Sequence, residues 1–177
     1  AEGNRLLDGP AGMWCMQTGY GRREIADAVF KQIMELSYAT SFTVINNREV
    51  ELATRIAAQT PGDLNRIYFT TGGSTAVDSA LRLCQLASNI KGHPQRKHII
   101  SREKAYHGST YLSASITGKE RDKTAMDIMR NGIHFLSAPC HFYHPEFATE
   151  AEFCDFLVDE LEQKILELGP ENIMCFI

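Results

Sequence analysis

Apolar residues recur every three or four positions in four stretches of the chain, the spacing that places them on one face of an α-helix. Asn46 offers an N-terminal cap for the second stretch, and Pro61 follows its end. The apolar residues of the last stretch fall on one side and leave polar residues on the other. The pattern therefore predicts amphipathic helices over residues 22–37, 48–59, 74–89 and 149–168.

Short apolar runs between these helices predict strands over residues 66–70, 97–102 and 173–177. The small, polar stretch 108–117 indicates a short helix, and residues 9–21 indicate a Gly-rich ordered loop or short strand. Residues 118–146 show no regular period and are predicted to be irregular. Strands that alternate with helices are typical of an α/β fold with a mostly parallel sheet, in which ligands bind at the carboxyl ends of the strands.

Composition excludes several classes of protein. The chain has 177 residues and a net charge of -4, and no basic run supports nucleic-acid binding. No apolar stretch approaches the roughly 20 residues of a membrane span. The five cysteines are widely spaced without a Cys-x-x-Cys pair, so neither a zinc site nor a disulfide framework is expected. The expected location is cytoplasmic, with an organelle matrix as the alternative.

The first chemical motif spans residues 69–78, which read Phe-Thr-Thr-Gly-Gly-Ser-Thr-Ala-Val-Asp. Gly72, Gly73 and Ser74 form a turn between a predicted strand and a predicted helix. Backbone N–H groups at such a helix start can bind an anion, usually a phosphate. The alternative is a tight turn in which Ser74 is an ordinary helix cap. The run is neither a nucleoside-triphosphate loop nor a dinucleotide fingerprint.

The second motif, Ala-Tyr-His-Gly-Ser-Thr over residues 105–110, follows the next predicted strand. Tyr106 is a candidate platform for stacking an aromatic cofactor ring, and His107 lies beside it. The alternative is a core tyrosine and a loop histidine. Together the two motifs indicate a flat, phosphorylated cofactor.

Three further features are weaker. Trp14 is either a core residue or a wall of a substrate pocket, and Lys104 is either a solvated loop lysine or a residue that bonds covalently to a cofactor. His134, His141 and His144 lie in an irregular segment with poor spacing for a metal, so no metal site is expected.

These motifs, in this order, resemble the class III aminotransferases, pyridoxal-phosphate enzymes that include the omega-amino acid:pyruvate transaminases. The other matching stretches are residues 13–22, 24–28 and 161–169. The resemblance implies an α/β fold of fold type I, a three-layer α/β/α large domain with a mostly parallel sheet. It divides the chain into an N-terminal segment over residues 1–65, which packs at the active site and dimer interface, and the first part of the large domain over residues 66–177.

The resemblance also implies the residues of the site. Gly72, Gly73 and Ser74 would hold the cofactor phosphate, and Tyr106 would stack on the pyridine ring with His107 beside it. Trp14 would line the substrate pocket. Residues 38–42 would reach toward the active site near the interface of a homodimer or larger assembly.

Two departures from the family pattern matter. Thr75 stands where the family usually has Glu. The Schiff-base lysine and the Asp that pairs with the pyridine nitrogen are expected beyond Ile177, so this chain is expected to be an amino-terminal half without a catalytic residue of its own.

The function implied is pyridoxal-phosphate-dependent transfer of an amino group from an omega-amino acid or amine to a keto acid, with pyruvate as the expected acceptor. The alternative is a non-catalytic fragment or inactive relative that keeps the fold for cofactor binding or dimerisation.

Overall fold

A computed structural model describes residues 3, 5–40 and 42–177. The chain divides into two compact units, Ala1–Ile67 and Tyr68–Ile177. Ser41, within the segment 38–42 that was expected near the active site, lies outside the described residues. Each unit is described by itself below.

The first unit contains the helices α1 (Ala11–Trp14), α2 (Arg23–Glu35) and α3 (Asn47–Ala57). The side chain of Asn46 caps α3 by accepting a hydrogen bond from the Glu49 N–H at 2.8 Å. Both amphipathic helices predicted here are present.

The Gly-rich loop is neither extended nor a strand. All four residues of α1 have φ between 49° and 66°, so this short turn is left-handed. The Asp8 carboxylate accepts hydrogen bonds from the Gly12 N–H and the Tyr20 hydroxyl, both at 2.8 Å. The hydrogen bonds to Asp8 hold the loop in this conformation. Apolar periodicity cannot reveal them, because they join polar groups.

The second unit alternates helices and strands. Its helices are α4 (Gly73–Ile90), α5 (Tyr111–Ile116) and α6 (Glu150–Leu168), and its strands are β1 (His98–Arg102), β2 (Ile133–Leu136) and β3 (Ile173–Phe176). The strands form one parallel sheet in the order β2-β1-β3. The parallel α/β arrangement predicted from the sequence is confirmed.

Side-chain alternation along the sheet separates two layers of helices. Ile99 and Cys175 are neighbours in register and pack with Leu81 of α4 and Ile116 of α5. The next position, Ile100, points to the opposite face, as does its partner His134. The helix α6 packs against β2 on that side, and burial of its Phe153 and Leu157 closes the other layer. The layers therefore follow the order helix, sheet, helix.

Two predictions that concern strands are wrong. Residues 66–70 form no strand, since within the described parts of the chain no ladder partner pairs with them. A strand needs such a partner, whatever its side chains favour. Conversely, β2 lies inside the stretch predicted to be irregular, where it pairs with β1 from Ile99–Ile133 to Arg102–Leu136.

Candidate functional site

The helix α4 begins at the Gly-Gly-Ser turn. Gly72 precedes it, and Gly73 and Ser74 are its first two residues. The first N–H groups of a helix have no carbonyl partner within the helix, and the backbone dipole makes this end positive. A Cβ on Gly72 or Gly73 would meet no other atom within 4 Å, so the helix start opens onto free space. This end can therefore receive an anion.

Thr75 contributes to the same helix start. Its hydroxyl donates a hydrogen bond to the Gly72 carbonyl at 2.8 Å. All residues in the first turn of α4 are described, and none of them is acidic. A glutamate here would place a negative charge in the first turn, beside any bound anion. Thr75 therefore closes the turn and leaves the helix end positive.

The Tyr-His-Gly turn approaches α4 directly. The backbone N–H of Ser109 donates to Oγ of Ser74 at 3.0 Å. Because Ser74 accepts this bond, its own hydroxyl hydrogen remains available for donation to an anion. The structure therefore brings the two sequence motifs together.

Gly108 makes this approach possible. A Cβ at this position would lie 2.4 Å from Oγ of Ser74 and 2.6 Å from Oγ of Ser113, distances that no side chain tolerates. Its φ of 131° also lies in a region that L-residues rarely adopt. Only glycine fits here.

His107 faces the sheet. Its Nε2 lies 3.2 Å from Oγ of Ser101, a fully buried residue of β1 whose hydroxyl donates to the Ile116 carbonyl at 2.8 Å. Since the Ser101 hydrogen is already used, His107 must donate from Nε2, and its neutral ring leaves Nδ1 as the acceptor. Burial lowers the pKa of His107. The residue therefore ties the turn to β1 as a neutral imidazole.

Tyr106 lies on the open side of the turn. Its side chain is 60% exposed, and the Lys119 Nζ lies 5.2 Å from its ring centroid. A pocket of about 220 Å³ is lined by residues that include Tyr106, Gly108, Ser109 and Lys123. The ring is therefore accessible beside the turn that contacts Ser74.

The two remaining candidate residues, Trp14 and Lys104, lie in different surroundings. Trp14 lies in the first unit and is 70% exposed, so its substrate-lining role stays a prediction. Lys104 places its Nζ 3.7 Å from the ring centroid of Tyr143.

The three candidate histidines turn to different partners. His134 contacts His98 at 2.9 Å, His141 contacts the Phe147 carbonyl at 2.9 Å and His144 contacts Glu146 at 3.0 Å. Among residues 3, 5–40 and 42–177 no cluster of three potential ligands could hold a metal. None of the helices in the same residues is long and apolar enough to cross a membrane.

Comparison with known proteins decides the family. The family model for Aminotransferase class-III matches residues 1–177. The chain belongs to the class III aminotransferases. Among its relatives, the putrescine–pyruvate aminotransferase of Pseudomonas aeruginosa is 38% identical over 178 residues, which is 100% of this chain and 39% of that protein. The vanillin aminotransferase of Capsicum chinense is 34% identical over 182 residues, which is 99% of this chain and 39% of that protein.

Solved structures agree with this assignment. The thermostable (S)-enantioselective omega-transaminase from Thermomicrobium roseum superposes with a TM-score of 0.93 at 37% identity, over 99% of this chain and 40% of that one. The class III chain therefore has part of the fold-type I α/β fold, as the resemblance implied. It spans about two fifths of the length of the curated relatives it matches.

Several residues of the site were not singled out from the sequence. Hydrogen bonds to residues of the 105–110 motif come from Ser101, Ser113 and Thr117. Ser109, within that motif, donates from its N–H to Ser74. Small polar residues are common in loops, so the only sequence signal was the unusual density of Ser and Thr over residues 109–117.

Proposed function

We propose that this class III chain holds the phosphate and the ring of pyridoxal phosphate in an enzyme that transfers an amino group from an omega-amino acid or amine to a keto acid, with pyruvate as acceptor. The observation that carries the proposal is the hydrogen bond from the Ser109 N–H to Ser74. This bond joins the anion-binding helix start to the turn that presents Tyr106.

The residues present fit this cofactor. Free N–H groups at the start of α4, together with the Ser74 hydroxyl, suit a phosphate dianion, because both are donors and the helix end is positive. The open space in front of Gly72 and Gly73 leaves room for the phosphate. The exposed Tyr106 ring suits an aromatic ring that stacks beside the same turn.

Each residue has a limited task in this proposal. Gly73 and Ser74 bind the phosphate, Tyr106 supports the ring, and His107 holds the turn against β1 rather than donating a proton to substrate. When bound, pyridoxal phosphate supplies the electron sink and carries the amino group between donor and acceptor. Trp14 is proposed to line the substrate pocket.

The choice of substrates follows from the named relatives. A putrescine–pyruvate aminotransferase and an omega-transaminase both match at 37–38% identity. Their names support a simple amine or omega-amino acid as donor and pyruvate as acceptor. We further propose a homodimer in the cytoplasm. The five free thiols of the chain are consistent with a reducing compartment.

The test uses the protein that carries this chain, stripped of cofactor and titrated with pyridoxal phosphate while its absorbance is followed. Substituting Ser74→Ala removes one charge-assisted hydrogen bond and should weaken binding by about 1–3 kcal/mol. The control is Ser79→Ala, farther along the same helix, which should leave affinity unchanged.

Turnover is measured as alanine formed from pyruvate with putrescine or another omega-amine as donor. Alanine formation that falls with cofactor occupancy in Ser74→Ala supports the proposal. Absence of cofactor binding contradicts it, and unchanged affinity in Ser74→Ala contradicts the phosphate site. Cofactor binding without alanine formation from any amine favours the non-catalytic alternative.

A further inference from the structure

A second hydrogen bond links the same two segments one helical turn away from Ser74. The carboxylate of Asp78 accepts from the backbone N–H of Ser113 at 3.1 Å. Residues four apart lie on the same face of a helix, so Asp78 lies directly beyond Ser74 on α4. Ser113 likewise lies four residues beyond Ser109. The bonds Ser109–Ser74 and Ser113–Asp78 therefore run side by side and join residues 35 apart in each case.

The position of Ser113 explains why a carboxylate suits this contact. Ser113 is fully buried in the first turn of α5, where backbone N–H groups lack a partner within the helix. Its hydroxyl is already engaged with Thr110 at 2.6 Å in the cap of the helix. The Thr110 side chain faces this N–H within the cap of α5, and Asp78 supplies an acceptor from outside the helix.

The Tyr-His-Gly turn leads directly into α5, so fixing the start of α5 limits where the turn can lie. The clearance at Gly108 is small, since a Cβ there would already collide with Oγ of both Ser74 and Ser113. A small displacement of α5 would consequently lengthen the contact between the Ser109 N–H and Ser74. That contact holds the Ser74 oxygen and leaves its hydrogen for the phosphate.

We infer that Asp78 is a positioning residue for the phosphate site: through the Ser113 N–H it holds the Tyr-His-Gly turn against α4 and thereby orients the Ser74 hydroxyl. This inference rests on the proposed function, because it assigns Asp78 a part in cofactor binding without contact to the cofactor. It predicts that the carbonyl oxygen of an amide can replace the carboxylate, since only an acceptor for the Ser113 N–H is required.

The experiment compares Asp78→Ala with Asp78→Asn in the protein that carries this chain. Affinities are measured for pyridoxal phosphate and for pyridoxal, which lacks the phosphate. Asp78→Ala should weaken binding of pyridoxal phosphate about tenfold, the loss expected when a hydrogen bond to a charged group is misplaced. It should weaken pyridoxal binding less, because pyridoxal has no phosphate to lose from Ser74. Asp78→Asn should stay within about threefold of the unsubstituted protein for both ligands. The control is Asp155→Ala, an exposed carboxylate on α6.

Amide hydrogen exchange of residues 106–113 in the cofactor-free protein measures the turn directly. Exchange should be faster in Asp78→Ala and unchanged in Asp78→Asn and Asp155→Ala. If Asp78→Ala does not fold, Asp78→Ser replaces it with the same expectation, because the serine oxygen is one bond too short to reach Ser113.

Equal losses of affinity for pyridoxal phosphate and pyridoxal would indicate a merely structural role and overturn the inference. Unchanged exchange and affinity in Asp78→Ala would also overturn it. Failure of the unsubstituted protein to bind pyridoxal phosphate contradicts the proposed function instead, and the exchange measurement still decides whether Asp78 positions the turn.

Discussion

At the scale of single residues, the site depends on very short distances between small side chains. Ser74 accepts from the Ser109 N–H, and Ser101 accepts from His107 while it donates to Ile116. Each hydroxyl already makes at least one of these hydrogen bonds. Its remaining donor or acceptor can therefore serve only a partner on its free side. Gly108 is the residue that allows this packing.

Substituting Gly108→Ala should therefore disrupt the site. The new Cβ would lie within 2.6 Å of two hydroxyl oxygens, and the backbone at φ 131° would add strain of about 1–3 kcal/mol. We expect a loss of affinity for pyridoxal phosphate of at least about tenfold, read from absorbance titration. Gly9→Ala is the control, because a Cβ there meets nothing within 4 Å. Wild-type affinity in Gly108→Ala would show that the turn does not sit against α4.

At the scale of elements, the sheet joins α6 through a polar contact as well as apolar packing. Immediately after β2, Ser137 donates to the Glu160 carboxylate from both its N–H and its hydroxyl, at 3.0 Å in each case. The helix α6 begins with a cap in which Thr149 accepts from the Glu152 N–H at 3.2 Å. The carboxylate thus anchors the middle of α6 to the end of β2, on the sheet face that buries Phe153 and Leu157.

Removing this anchor should lower stability without altering the site at α4. The change Glu160→Ala leaves a partly buried N–H and hydroxyl without their acceptor, and we expect the free energy of unfolding to fall by about 1–3 kcal/mol. Denaturant titration measures the change, and pyridoxal phosphate affinity should not move. Glu162→Ala, exposed on the same helix, is the matched control and should change stability little. Equal midpoints for the two variants would refute the anchor.

At the scale of the whole molecule, two histidines couple stability to pH. Burial lowers the pKa of His107, and burial together with the charges of His98 and Lys164 lowers the pKa of His134, against the opposing effect of Glu167. In both cases the unfolded chain takes up protons more readily than the native state. Stability therefore rises with pH across the interval between the lowered native pKa values and the ordinary one.

The free energy of unfolding should consequently be insensitive to these histidines above the ordinary pKa of about 6.5 and fall as the pH drops below it. Denaturant titrations from about pH 8 to about pH 5.5 would show the decline. The double variant His107→Gln with His134→Gln should flatten it. An unchanged slope in the double variant would contradict this origin.

Much of the helical structure and the two turns of the candidate site could be predicted from the sequence. Apolar spacing located α2, α3, α4 and α6, because an amphipathic helix needs only its own residues to define its buried face. The Gly-Gly-Ser and Tyr-His-Gly motifs were recognised for the same local reason, since a turn and a helix start use neighbouring residues. The strands were predicted less well.

Tertiary structure decided what depends on partners distant in the chain. Residues 66–70 have strand-like composition yet lack a ladder partner in the described residues, whereas the short run from Ile133 becomes a strand because β1 pairs with it. The necessity of Gly108 and the contacts of Ser109 and Asp78 involve residues 34 or 35 positions away in the chain. Sequence determined which segments could form helices and turns, because those bonds are local. Only folding decided which turn meets which helix, because hydrogen bonds between distant residues leave no period in the sequence.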